Sequence, residues 1–396
     1  MKLYLKCSGI LLISLMILIS CKEQQRSEKT KVWACFSGTL ISTQPDTVAT
    51  EQTEYFFALA KKTGIDAIIL EVHGGYPNVD STDITDFTDY EAINIVNKAL
   101  PYAKKYGIEL YAWLWTTNRC EKNLRTAHPD WYQVNAEGNS CLDIKLYNRE
   151  HYRWLCPSRP EVTEYLKDRV AELAKIEGLA GVLLDFIRYP DAILPYGLHE
   201  SRGVVQDKVY PLWDHCYCDV CRANFKAQTG IDPMTLDNPT ENAEWMQYRW
   251  DAITELTNAL AEEIHHYGKA ATAAVFASPS ESRKLVRQDW ASFTELDIIF
   301  PMIYHKFYNA EDAWIETATR EGVEEMAANN CKGYLCSILF VDHVPINRID
   351  EMIDYATKGG STGICFFSLE GIDKIPDYWG KLKESIARYK RKKVIH

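Results

Sequence analysis

The chain has 396 residues, long enough for one large core or for two domains of ordinary size. Its 46% apolar and 25% charged content is that of a globular protein, not of a disordered or fibrous one. A net charge of −11, which becomes −13 once residues 1–21 with Lys2, Lys6 and no acid are set aside, argues against nucleic acid as a partner. Phosphate binding needs a basic surface.

The N-terminus reads as a targeting segment and is left out of fold reasoning. Lys2 and Lys6 precede an apolar stretch, Ile10 to Ile19, too short to span a bilayer. Leu18-Ile19-Ser20-Cys21 then resembles a bacterial lipobox, which implies cleavage before Cys21 and a lipid on its thiol; an ordinary signal peptide with a chance cysteine is the alternative. Residues 22–30 hold no apolar side chain and read as a tether. The expected product is one domain, residues 31–396, lipid-anchored in the cell envelope, with the outer membrane as the expected host.

Beyond the tether, short apolar runs alternate with helical patterns. Strands are expected at Val32–Phe36, Ala67–Val72, Ile108–Trp115, Ala180–Asp185, Ala270–Phe276, Asp297–Tyr304, Gly333–Phe340 and Gly363–Leu369. Helices are expected from about Thr50 to Gly64, then at Asp89–Tyr106, Thr240–Tyr267, Ala310–Ala328, Ile346–Ala356 and Asp377–Lys390. Ser158-Arg-Pro-Glu161 reads as a capping box opening another helix, with Val162, Leu166, Val170 and Leu173 along one face. Eight strands each followed by a helix is the pattern of a (β/α)8 TIM barrel. Helix-to-strand connections are short, whereas 116–157 and 186–239, after strands 3 and 4, are long. In such a barrel the long loops gather on the face that holds the active site.

The strand ends supply the chemistry. The run Gly181-Val-Leu-Leu-Asp185 is a buried strand interrupted by one acid at its tip, with Arg188 and Tyr189 following. Other tips bring Glu71 and His73, Trp113 and Trp115, Tyr304 and His305, Asp342 and His343, and Glu370. There is no Gly-rich phosphate loop, and no tip offers an evident nucleophilic Ser or Cys. Paired acids with aromatic faces suit glycosidic bond cleavage, one acid protonating the leaving oxygen and the other attacking or activating water. Asp185 is the first catalytic candidate, with Glu71 and Glu370 ahead of Glu281 and Asp289 as its partner. His73, Trp115, Arg188, Tyr304 and His305 are candidates for holding substrate. An Arg188 guanidinium close to Asp185 would keep that carboxyl ionised. Trp131, Trp154 and Trp213 are further candidate sugar platforms. No cofactor is expected for catalysis.

These residues resemble the family-ten glycoside-hydrolase-like barrels of bacterial lipoproteins and their relatives. The matching pieces are His128-Pro-Asp-Trp131, Pro157-Ser-Arg-Pro-Glu161, the Gly181–Pro190 run, Gln288-Asp-Trp290 and Asp297-Ile-Ile-Phe-Pro-Met302-Ile-Tyr304. The resemblance covers about residues 30–375 and implies a barrel acting on polysaccharide or peptidoglycan glycan. The chain departs from the pattern at Ala180, where such barrels often carry Asp, and at Glu71 and His73, where Arg is frequent.

Eleven of twelve cysteines survive cleavage before Cys21 and the lipid takes the thiol of that one. Cys216-Tyr-Cys218-Asp-Val-Cys221 presents three thiolates at the spacing of a tetrahedral zinc site, and Cys156, Cys141 or Cys120 on the neighbouring long loop could complete it, His215 less readily. In an oxidising compartment, two disulfides among these cysteines are the alternative. The cluster also resembles the zinc loop of some β-galactosidase barrels, which implies a closed structural site. Cys35, Cys331, Cys336 and Cys365 read as core thiols. Two other functions remain open: a non-catalytic glycan-binding lipoprotein on the same scaffold, and a metal-dependent hydrolase using His73, His305 and His343. Oligomeric state is not legible.

Overall fold

A computed structural model describes residues 31–42, 46–72 and 89–395. The expected signal segment and tether, with Cys21, and His73 lie outside the described residues. Eight parallel strands close in sequence order: β1 Val32–Ser37, β2 Ala67–Glu71, β3 Glu109–Trp115, β4 Gly181–Asp185, β5 Ala270–Phe276, β6 Ile298–Met302, β7 Tyr334–Phe340 and β8 Gly363–Phe367. Helices α1 Asp46–Thr63, α2 Asp89–Tyr106, α3 Pro160–Ala174, α4 Ala243–His266, α5 Pro279–Val286, α6 Trp314–Ala328, α7 Ile349–Lys358 and α8 Tyr378–Ile395 run between and after them. The protein is a (β/α)8 TIM barrel, as the alternation predicts. Among the described residues no helix is long and apolar enough to cross a membrane.

The strands read as continuous apolar runs because both faces are buried. Outward residues such as Val182, Leu184, Ile68 and Leu70 pack against the helices, while Trp33, Ile69, Tyr111, Leu183, Phe300 and Ile338 fill the barrel interior. Each fully buried Leu or Ile contributes roughly 1.5–3 kcal/mol. The interior is tight at Gly181, where a Cβ would sit 2.5 Å from the Ala270 carbonyl and 2.7 Å from the Tyr111 ring. The period-2 alternation that points Leu183 inward points Asp185 inward too, one layer nearer the top. By the same alternation Ser37 and Glu71, which pair in register, cap β1 and β2 at the top of the barrel.

Most expected boundaries shift by a few residues, and three departures have a visible cause or consequence. β8 stops at Phe367 instead of Leu369, because the Ser368 hydroxyl accepts the Gly371 N–H at 3.3 Å and opens a short helix, Leu369–Lys374. β6 ends at Met302, so Tyr304 lies just past the strand. The capping box fails: α3 starts at Pro160 with Arg159 as an N-cap that makes no side-chain bond, while Ser158 accepts from the Tyr248 hydroxyl at 3.1 Å.

Candidate active site

At the C-terminal end of the strands a cavity of about 1000 Å³ opens, and its walls carry Ser37, Glu71, Trp113, Trp115, Asp185 and Glu370. Ser37, Glu71 and Asp185 reach it by the same logic: the last inward residue of a strand has no further layer above it and faces the cavity. Asp185 is the tip of β4. Its Oδ2 accepts the Trp113 indole N–H at 2.8 Å, and its Oδ1 accepts the backbone N–H of Phe186 at 2.7 Å. Phe186 turns the chain there in a left-handed conformation, φ 49°, which a bulky residue rarely adopts and which aims its own N–H back at the carboxylate. Burial pushes Asp185 up to about 6, against the pull of those two donors.

Glu71 ends β2, two strands away. Its Oε2 accepts the Ser37 hydroxyl at 2.9 Å. Burial first, and then the negative charges of Asp185 and Glu370, push Glu71 up to about 8, while the hydrogen bonds from Ser37 and Trp115 pull the other way. Glu370 comes from the first turn of the Leu369–Lys374 helix; its Oε1 accepts the Ser37 backbone N–H at 2.6 Å, and its Oε2 is buried with no partner. Ser37 therefore touches both glutamates, one through its hydroxyl and one through its backbone. The sequence reading passed over Ser37 and gave Trp113 no specific role. The register that pairs Ser37 with Glu71 would have found the serine once β1 and β2 were aligned.

At neutral pH the two carboxyls thus differ. With Asp185 raised to about 6 and Glu71 to about 8, the first is mostly ionised and the second mostly protonated.

Of the expected substrate contacts, Trp115 and Tyr304 line the cavity. Trp115 packs on Phe186 at 4.7 Å between ring centres, and Tyr304 packs on Phe340 at 5.2 Å and Phe367 at 5.9 Å. Two expectations are corrected. Arg188 does not reach Asp185: it is buried, sandwiched among Trp154, Phe186 and Phe276, and its Nη1 donates to Tyr189 O at 2.9 Å and Asp191 Oδ2 at 3.2 Å. Its charge is the smallest of the influences on Asp185, which is why that carboxyl is raised and not held down. His305 is also turned away from the cavity. It is buried, 2.9 Å from Asp312, in the turn that follows β6.

Among the other candidates, Trp154 is fully buried and offers no platform. Trp131 stacks on His128 at 3.9 Å, and Trp213 on Tyr147 at 5.7 Å. Glu281 sits in the first turn of α5, and Asp289 is engaged by Arg283 and Ser292; neither lines the cavity. His305 and His343 lie with ring centres 5.7 Å apart, yet among the described residues no histidine belongs to a cluster able to hold a metal.

The cluster that could hold a metal is Cys156, Cys216, Cys218 and Cys221, all buried, with sulfurs within 4.8 Å of one another. Cys156 Sγ is 3.6 Å from Cys218 Sγ and 3.4 Å from Cys221 Sγ. These are contact distances, far from the roughly 2.05 Å of a disulfide, and close to the ~3.8 Å between sulfurs of a tetrahedral site with bonds of about 2.3 Å. Cys141 instead donates to Trp154 O at 3.5 Å, and His215 Nδ1 lies 3.0 Å from Trp213 O. The donor set fits zinc, with Cys156 joining the long loop after β3 to the long loop after β4.

Solved structures similar to the chain share its barrel. The glycoside hydrolase domain of PgaB (BpsB) from Bordetella bronchiseptica aligns with a TM-score of 0.62 at 12% identity, over 90% of this chain and 98% of that one. Two β-galactosidases, from the haloarchaeon Halorubrum lacusprofundi and from Marinomonas ef1, align at 0.59 and 0.58 with 12% and 10% identity, over 91% and 90% of this chain. The chain spans 58% and 59% of those two enzymes. At such identities the likeness concerns the fold. No curated protein matches the chain in sequence. Residues 40–330, well over half of the chain, match the family described as "Putative glycosyl hydrolase domain", and the chain belongs to that family.

Proposed function

We propose that the chain cleaves an O-glycosidic bond in polysaccharide or peptidoglycan glycan, with Glu71 as general acid and Asp185 as the carboxylate that attacks the sugar or activates water. The observation that carries this is that Glu71 and Asp185 line one cavity with different partners, so that burial raises Glu71 to about 8 and Asp185 only to about 6. Asp185 keeps its charge because Trp113 and the Phe186 N–H donate to it, and Glu71 keeps its proton because it is buried beside two other acids. A family of glycosyl hydrolases is the setting in which such a pair is expected. Glu370, fixed by the Ser37 N–H, adds negative charge beside Glu71 and so supports its protonated form. Trp115 and Tyr304 offer aromatic and hydroxyl surface to the sugar.

Two further parts belong to the same reading. Cys156, Cys216, Cys218 and Cys221 would hold a zinc ion that braces the two long loops, a four-sulfur structural site and not a catalytic one. The Cys21 thiol carries a lipid that tethers the single domain 31–396 to a membrane of the cell envelope, as the Leu18–Cys21 motif and the apolar-free segment 22–30 suggest. The test of the catalytic reading is turnover on a panel of polysaccharides and peptidoglycan by the parent and by Asp185→Asn. A variant with undiminished turnover on the glycan the parent cleaves contradicts it, and a parent that binds glycans without cleaving any supports a binding lipoprotein instead.

A further inference from the structure

Helices in this barrel run opposite to the strands, so their C-termini gather at the end away from the cavity, where residue 31 enters β1. On three neighbouring helices that end is basic. α1 finishes with Lys61 and Lys62, α2 with Lys104 and Lys105, and α8 carries Lys390, Arg391 and Lys392 in its final turns. α8 packs on α1 and α1 on α2, so these residues form one sector. Lys390 ties it together, donating to Gly64 O at 2.8 Å and to Asp66 at 2.7 Å. Lys61 reaches the end of α2, its Nζ lying 3.6 Å from where a Cβ on Gly107 would be.

The acids nearby are already taken. Glu109 accepts from Lys31, Asp66 from Lys390, Glu54 from Lys105 and Tyr106, and Asp354 from Lys392. Lys61, Lys62, Lys104 and Arg391 are exposed and have no acidic partner among the described residues. Cations at helix C-termini complement the helix dipole. Other helices also end in basic residues, α5 in Arg283 and Lys284 and α7 in Lys358, while α3 and α6 have none in their last turns; what sets this sector apart is that three adjacent helices bring four unpaired cations together. A chain of net charge −11 here keeps a local surplus of four positive charges, at the end opposite the acidic cavity.

We propose that this face docks on a bilayer surface bearing anionic phospholipid headgroups, which holds the cavity mouth away from the membrane. Charge complementarity selects the partner, and residue 31 enters β1 at this same end of the barrel. The attraction is independent of any lipid on Cys21 and of catalysis.

The experiment is vesicle sedimentation of the chain from residue 22 onward, without attached lipid. Each unpaired Lys or Arg near an anionic surface strengthens partitioning by about five-fold, so four give a gain of roughly several hundred-fold. The parent is expected to bind phosphatidylcholine vesicles containing phosphatidylglycerol at low salt, to leave them at high salt, and to ignore pure phosphatidylcholine. The variant Lys61→Gln/Lys62→Gln/Lys104→Gln/Arg391→Gln should lose that binding, and Lys61→Arg/Lys62→Arg/Lys104→Arg should keep it. Lys145→Gln/Lys208→Gln/Lys306→Gln, on the cavity side, should also keep it. The proposal is overturned if the parent does not distinguish the two vesicles, if the four-site Gln variant binds like the parent, or if the cavity-side variant loses as much.

Discussion

Replacing Trp113 with Phe isolates one hydrogen bond at the centre of the site. The ring and its edge contact with Phe367, 6.0 Å between centres, are largely kept, while the N–H that reaches Asp185 Oδ2 at 2.8 Å is lost. A hydrogen bond to a charged acceptor is worth about 1.5–3 kcal/mol, and 1.36 kcal/mol moves a pKa by one unit, so Asp185 should rise by about one to two units. The direction follows from the donor stabilising only the ionised form. Asp185 starts at about 6 and Glu71 at about 8, so the parent should show a bell-shaped kcat/KM profile with limbs near those values. In Trp113→Phe the acidic limb moves up until it meets the alkaline limb, and the plateau between them collapses to a narrow, low maximum. The assay is kcat/KM against pH on a glycan the parent cleaves, with circular dichroism to show that the barrel persists. An acidic limb that stays in place in a folded variant refutes the role given to Trp113 and the assignment of that limb to Asp185.

Two further outcomes follow from the same geometry. Glu71 titrates at about 8 when folded against an ordinary value near 4.3, so between those values the folded chain holds a proton that the unfolded chain has released. Stability therefore falls as pH rises through that window, and Glu71→Gln should remove a cost of order 3–5 kcal/mol that is fully present above pH 8 and absent below pH 4. Thermal melts should show the variant's advantage growing from pH 5 to pH 8; a constant offset contradicts the buried-acid account. For the sulfur cluster, metal analysis of protein purified without chelator should give one zinc per chain. Chelation or Cys156→Ser should lower Tm by about 4 °C or more, corresponding to roughly 3 kcal/mol in a domain of this size. A metal-free, fully folded sample with these cysteines oxidised ends the zinc reading.

The barrel was legible because its signal is local and repeated. Short apolar runs alternate with helical patterns, and loop length differs consistently between the two ends of each strand. Asp185 stood out because a single carboxylate interrupts an otherwise apolar strand. What the sequence hid was the direction of long side chains. Arg188 is three residues from Asp185 and reads as its ion partner, yet packing among Trp154, Phe186 and Phe276 turns the guanidinium toward Asp191. His305 and Trp154 were misplaced for the same reason, since a residue near a strand tip or in a long loop can fold down into the packing beneath as readily as face the bowl. Glu370 reached the cavity by a route the strand pattern did not show, through a helix turn capped by Ser368. Spacing alone left Cys156, Cys141 and Cys120 open as the fourth sulfur, because it does not show how the two loops meet; the structure gathers Cys156 with Cys216, Cys218 and Cys221.

The most direct measurement is turnover by Glu71→Gln and by Asp185→Asn on the glycan the parent cleaves, each compared across pH. Each substitution should cost at least about 100-fold in kcat/KM, the scale of a positioned acid or base. Residual activity should lose the alkaline limb in the glutamate variant and the acidic limb in the aspartate variant. Parent-like turnover in either folded variant, or a profile that keeps both limbs, contradicts the division of labour between these two carboxyls.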